Sequence, residues 1–205
     1  MKDIVIYGAG GLGLEIESLI NNINKVSNDW NLLGFVDDNK PNSTLGGIDY
    51  FKKNEKDVYV VLAFGDPSVK YKIARKLKSF KNIAFANLIH PKATLMDTNN
   101  ISLGRGVVIG AGAILTTSIT IGNHVLVNLN ATIGHGCQIG NHCSIMPGVN
   151  LAGDVQLEDN VLVGSGANIL NGIKMEANSI AGSGAVVTKS VKANKRVVGI
   201  PAREL

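Results

Sequence analysis

The feature that most constrains this chain is a six-residue period in its second half. Stepping by six from Leu103 lands on Ile109, Leu115, Ile121, Val127, Ile133, Ile139, Ile145, Leu151, Leu157, Val163, Ile169 and Met175, all aliphatic or Met. Four places after each stands a small or apolar residue, from Val107 and Ala113 through Cys137 and Cys143 to Ser179. Gly often follows the first of the pair, as at Gly104, Gly122, Gly134, Gly140 and Gly164. Two inward positions per hexapeptide describe a coil whose flat sides are short strands. Each corner then needs a residue such as Gly or Asn that tolerates positive φ. Three sides close a triangular coil of about eighteen residues, and coils stack by parallel hydrogen bonding at about 4.8 Å. The thirteen repeats predict a little over four coils, a prism roughly 20 Å tall. On this register Cys137 and Cys143 lie inside different sides and read as small core residues.

Residues 1–90 follow another grammar. Asp3-Ile4-Val5-Ile6-Tyr7 reads as a buried strand, followed by Gly8-Ala9-Gly10-Gly11-Leu12-Gly13 and a helix to about Ile23. Leu32–Val36 is a second strand ending at Asp37-Asp38, and Val58–Phe64 a third ending at Gly65. A helix from Ser68 to about Leu77 and a fourth strand over Ile83–Ile89 complete the set. Strands alternating with helices predict a small parallel sheet with crossover helices.

A chain of 205 residues buries roughly 70% of its unfolded surface, enough for one large or two small domains. No apolar run approaches the roughly 20 residues that span a bilayer, which predicts no membrane insertion. Two cysteines without an apparent signal peptide predict reduced thiols in a cytoplasmic protein. The net charge of +4 is not arranged as a basic stripe interleaved with aromatics, which argues against nucleic-acid binding. The basic tail residues Lys189, Lys192, Lys195 and Arg196 are candidates to meet a ligand's phosphates, or simply to be solvated.

The hexapeptide run resembles the left-handed β-helix acyltransferases. Joined to the GAGGLG segment and to Val198-Gly199-Ile200-Pro201-Ala202 at the end, the whole chain is similar to the PglD/NeuD-type bacterial acetyltransferases of nucleotide-activated amino sugars and sialic acids. The resemblance implies an α/β Rossmann-like nucleotide-sugar domain over residues 1–90, then a left-handed parallel β-helix with a tail over 91–205. It further implies a homotrimer with acetyl-CoA held between neighbouring prisms as co-substrate, and no metal. His135 matches the family's general base, at the third position of its repeat. Gly11, Leu12, Gly13, Asp37, Asp38, Gly65 and Asn128 match the nucleotide-sugar side. Ser144, Gly153, Ser165 and Ser183 match the cofactor side. Two departures stand out: the family commonly has Glu or Asp where this chain has Gly136, and often a second His where it has Ser144.

The implied activity is N-acetylation of a UDP- or dTDP-linked 4-amino-dideoxy sugar for surface glycan synthesis. Acetyl transfer from a thioester needs an uncharged amine, and an imidazole near neutral pKa is suited to taking its proton. O-acetylation of a sialic-acid-like sugar uses the same base, and a non-catalytic trimeric scaffold is the alternative that Gly136 favours. Two other readings arise from the residues. His124 and His142 are eighteen apart, hence stacked on adjacent coils, which raises a zinc site shared between subunits. The glycine-rich turn with Asp37 also fits a dinucleotide fingerprint, although some 90 residues hold only half of that fold. His90-Pro91 marks the junction, where Pro biases His90 away from helix.

Overall fold

The computed structural model describes residues 1–39 and 44–205. Its N-terminal part is built on four parallel strands: β1 (Lys2–Tyr7), β2 (Trp30–Val36), β3 (Val58–Leu62) and β4 (Ile83–Phe85), in the order β2-β1-β3-β4. Helix α1 (Gly11–Asn24) links β1 to β2, a single turn α2 (Tyr50–Lys53) precedes β3, and α3 (Pro67–Leu77) links β3 to β4. The strands are near-continuous apolar runs because both sheet faces are covered. Ile16, Leu19 and Ile20 of α1 pack with Ile4, Ile6 and Val61, while Ile73, Ala74 and Leu77 of α3 pack with Val5, Val58 and Val60. Helix α3 starts where Asp66 caps it, accepting from the Ser68 N–H at 2.7 Å with Pro67 in the first turn.

The strand expected over Ile83–Ile89 is in fact two. Ile83–Phe85 pairs with β3, whereas Leu88–Ile89 pairs with Val108–Ile109 as a rung of the prism. Asn87 makes the transfer: its amide donates to the Gly104 carbonyl at 2.8 Å and accepts from the Val107 N–H at 3.0 Å. These two bonds let the chain leave one sheet for the other without orphaned backbone groups.

From Leu88 the chain winds as a left-handed parallel β-helix of about six turns. It is taller than the strict period predicts because rungs continue it at both ends, Leu88–Ile89 and Thr94–Leu95 below, Val186–Val187 and Arg196–Val198 above. Strands pair eighteen residues apart on three walls, as Leu126 with Ser144 on the first, Thr132 with Asn150 on the second and Gln138 with Gln156 on the third. The period-six aliphatics from Ile109 to Met175 are all 3% exposed or less. Cys137 and Cys143 are buried free thiols among them, as the register predicts. Every sixth residue from Gly106 to Gly184 turns a corner with φ between +55° and +72°. The outward face of the first wall is itself apolar, and Val108 and Leu126 join the cluster formed by α1. The N-terminal sheet is therefore docked on that wall, and Lys70 of α3 reaches the prism to donate to the Cys143 carbonyl at 2.8 Å.

Candidate active site

His135 stands at the corner between the second and third walls, immediately before the left-handed Gly136. Its carbonyl accepts from the Asp154 N–H of the next coil at 2.7 Å, which fixes the corner, while its side chain is 63% exposed. The ring lies against Gly153. A Cβ on Gly153 would fall 2.4 Å from His135 Cε1 and 2.5 Å from Nε2, so only glycine leaves this space to the imidazole.

The residues matched to the nucleotide-sugar side collect at the C-terminal ends of parallel strands, where ligands of open α/β sheets bind. Among the described residues, Gly10 and Gly11 face open space and no side chain caps the start of α1. An uncapped helix N-terminus with bare glycines suits phosphate. Gly13 serves packing, since a Cβ there would meet the Gly8 carbonyl at 2.2 Å. Asp37 accepts from the Ala9 N–H at 2.8 Å and so holds the glycine loop. Asp38 accepts from the Tyr7 hydroxyl and from the Ile48 N–H, both at 2.8 Å. Burial, then this bond to Asp38, push the Tyr7 phenol far above its ordinary range. Gly65, just past β3, faces Met146 of the prism.

A groove of about 290 Å³ between α1 and the prism brings Leu12 together with Asn128. His90 lines it too, with Glu15, Ala111 and Leu129. The His90 Nδ1 accepts from the Lys92 N–H at 3.0 Å, and burial lowers its pKa. The sequence offers a weak signal for this role, a His at the change of grammar, which the following Pro explains away. Asn128 is buried, its side-chain oxygen accepting from the Leu129 N–H at 2.7 Å.

His135 does not reach this groove. The groove ends at the corner of the first and second walls, and His135 stands at the far end of the second wall, six residues on from Leu129. At about 3.3 Å per residue that is up to roughly 20 Å. The cofactor-side residues divide the same way. Gly153 lies against the His135 ring from the next coil, whereas Ser165 and Ser183 are exposed and stacked at the Leu129 corner, the Gly184 N–H donating to the Ser165 carbonyl at 2.8 Å. Ser144 lies elsewhere. It points out of the first wall beneath the N-terminal sheet, has no exposed surface, and its hydroxyl is without a partner. In this position it has no face to offer a cofactor.

His124 and His142 do stack, with ring centroids 5.3 Å apart and planes at 18°. His124 is buried and His142 half-buried. His124 is 5% exposed, with Phe85 edge-on at 4.4 Å, and Tyr71 stands edge-on to His142 at 5.5 Å. Burial, then His142, then Lys70, lower the pKa of His124 to about 3. Among the described residues no group of three His, Cys, Asp or Glu side chains is placed to hold a metal. In the tail, Lys192 pairs with Glu176 at 2.8 Å and Lys195 with Glu204, while Lys189 and Arg196 are exposed. No helix is long and apolar enough to cross a membrane among the described residues.

Comparison with known proteins gives consistent neighbours. Residues 3–77 match the family model described as the PglD N-terminal domain, and residues 100–117 and 154–189 the hexapeptide repeat of succinyl-transferase. The crystal structure of PerB from Caulobacter crescentus in complex with CoA and GDP-perosamine is 25% identical, with a TM-score of 0.89 over 100% of this chain and 98% of that one. WeeI from Acinetobacter baumannii AYE is 28% identical, with a TM-score of 0.88 over the whole of both chains. The acetyltransferase domain of PglB from Neisseria gonorrhoeae FA1090 shares the fold, at 24% identity and a TM-score of 0.88 over the whole of both chains. No curated protein sequence matched.

Proposed function

We propose, from its likeness to the PglD N-terminal domain and the hexapeptide repeat and to solved sugar acetyltransferases, that this chain acetylates the amine of a nucleotide-linked 4-amino-dideoxy sugar. The observation that carries the reading is the exposed imidazole of His135 against bare Gly153. It stands in a chain whose glycine loop and groove are formed on another corner. A base and a sugar site up to roughly 20 Å apart are complementary halves of one site only across two copies. The reading is therefore a cyclic homotrimer in which the His135 corner of one chain faces the groove corner of the next. Acetyl-CoA then lies between them, against Gly153 on one side and Ser165 and Ser183 on the other. Ser144 has no part in it.

In this reading the nucleotide's phosphates sit over Gly11, Leu12 and Gly13 at the start of α1, and Asn128 orients the sugar. His135 removes a proton from the uncharged amine as its nitrogen attacks the thioester carbonyl. A C–N bond forms, the C–S bond breaks, and the proton passes from the imidazolium to the departing CoA thiolate. No covalent enzyme intermediate is needed. This reading puts the reaction in the cytoplasm. PerB holds a GDP sugar, so GDP joins UDP and dTDP as candidate carriers. Thiol release from acetyl-CoA, measured across GDP-, UDP- and dTDP-linked 4-amino sugars, tests the proposal. Turnover with at least one is expected. Thermal stabilisation by CoA without turnover or stabilisation by any nucleotide sugar would overturn the substrate half.

A further inference from the structure

The corner that carries His135 holds a second charged group. Asp154 occupies the left-handed corner one coil above Gly136, at φ +60°, eighteen residues on. Its Oδ1 lies 3.8 Å from His135 Nδ1, ion-pair distance for an imidazolium and longer than a hydrogen bond. The same oxygen would lie 2.2 Å from a Cβ built on Gly136. Any side chain at position 136 would therefore collide with the Asp154 carboxylate, and the bare Gly136 is what lets that carboxylate lie beside the ring. Asp97, bonded to Thr117 one coil below His135, is already engaged: it accepts from the Thr117 hydroxyl at 2.6 Å and from the Asn100 amide at 2.8 Å.

We propose that Asp154 is the positioning residue of His135, a carboxylate supplied from the next coil into the space that Gly136 leaves open. The inference rests on His135 acting as the base. With Nδ1 turned to Asp154, Nε2 is the nitrogen left for the substrate's proton, and Gly153 keeps it uncovered. The carboxylate fixes the ring's tautomer and steadies the imidazolium as it forms. It touches neither substrate. Its effect thus belongs to the transition state and not to binding.

The test is a relocation of the acid, with Asp154→Asn, Asp154→Gly and Asp154→Gly/Gly136→Glu compared for kcat and KM. Asn and Gly both accept the left-handed corner, so the coil is kept. Both single variants are expected to lose about tenfold to a hundredfold in kcat, with KM for acetyl-CoA and sugar nearly unchanged. The double variant, whose new carboxylate enters the same space, is expected to recover most of that loss. Gly136→Glu alone, with both carboxylates crowded into one space, should be impaired. Full activity in Asp154→Asn and Asp154→Gly would overturn the proposal, as would a loss in both that the relocated acid does not recover. If His135→Ala is itself active, the base assignment fails instead, whatever the Asp154 variants do.

Discussion

Two histidine corners of the prism differ by one residue of register. His135 stands two residues after the inward Ile133 and one before the left-handed corner, so its side chain projects along the exposed edge against Gly153. His124 and His142 stand three residues after inward Ile121 and Ile139 and occupy left-handed corners themselves, at φ +57° and +61°. Above the first site there is solvent and a carboxylate. Above the second are α3, Phe85, Tyr71 and the buried cation Lys70. Burial, before any neighbouring charge, discourages His124 and His142 from taking a proton. The comparison teaches that a solenoid repeat sets where a side chain points, and that what is docked on each wall sets its chemistry.

The comparison is broken most severely by removing the exposed ring. His135→Ala is expected to lower kcat by about 10²- to 10⁴-fold, with far-UV circular dichroism and assembly unchanged, while His142→Asn stays within a few-fold of wild type in the same assay. A smaller loss is expected from Gly153→Ala. Its Cβ would displace the His135 ring, and a misplacement of about 1 Å costs up to roughly 10²-fold in rate. The Tm of this variant should hardly move, because the displaced atoms are the far end of an exposed side chain.

The smallest effect lies at the buried corner and concerns stability alone. His124 has its folded pKa depressed to about 3, from an unfolded value near 6.5. Below pH 6.5 the unfolded chain takes up a proton that the folded chain refuses. Stability from this group is thus complete above that pH and falls as pH drops toward 3, by at most about 1.4 kcal/mol per pH unit. Urea titrations between pH 7 and pH 5 should show a shallower decline for His124→Asn than for wild type. Parallel slopes would mean that the ring is not held neutral by its surroundings.

How much of this was legible differs between the elements. The prism core was, because its period of six leaves two inward positions per repeat and every one of them is filled. Its ends were not, because the terminal rungs lose the strict period where the chain enters from Asn87 and leaves at Arg196–Val198. Which wall is covered could have been read from a second period of eighteen. The outward residues are Val108, Leu126, Leu162 and Ile180 on the first wall, against Thr120, Gln138, Gln156 and Lys174 on the third. Ser144 belongs to the apolar column, which is why it lies sealed beneath the N-terminal sheet. Resemblance singled out His135 and Gly153, and the eighteen residues between them put the one against the other. The nearness of Asp154 was hidden because it depends on one coil plus one residue, a separation no local motif displays.

The central claim is that one chain's His135 works on a sugar held by its neighbour, and mixing subunits tests it directly. His135→Ala removes the base and Leu12→Trp fills the groove, and each variant alone should be inactive. When the two are unfolded together, reassembled in equal amounts and shown by distinct tags to share trimers, about a quarter of the sites should pair an intact His135 with an intact groove. The account predicts recovery of about a quarter of wild-type thiol release. Tagged mixed trimers that remain inactive would contradict it.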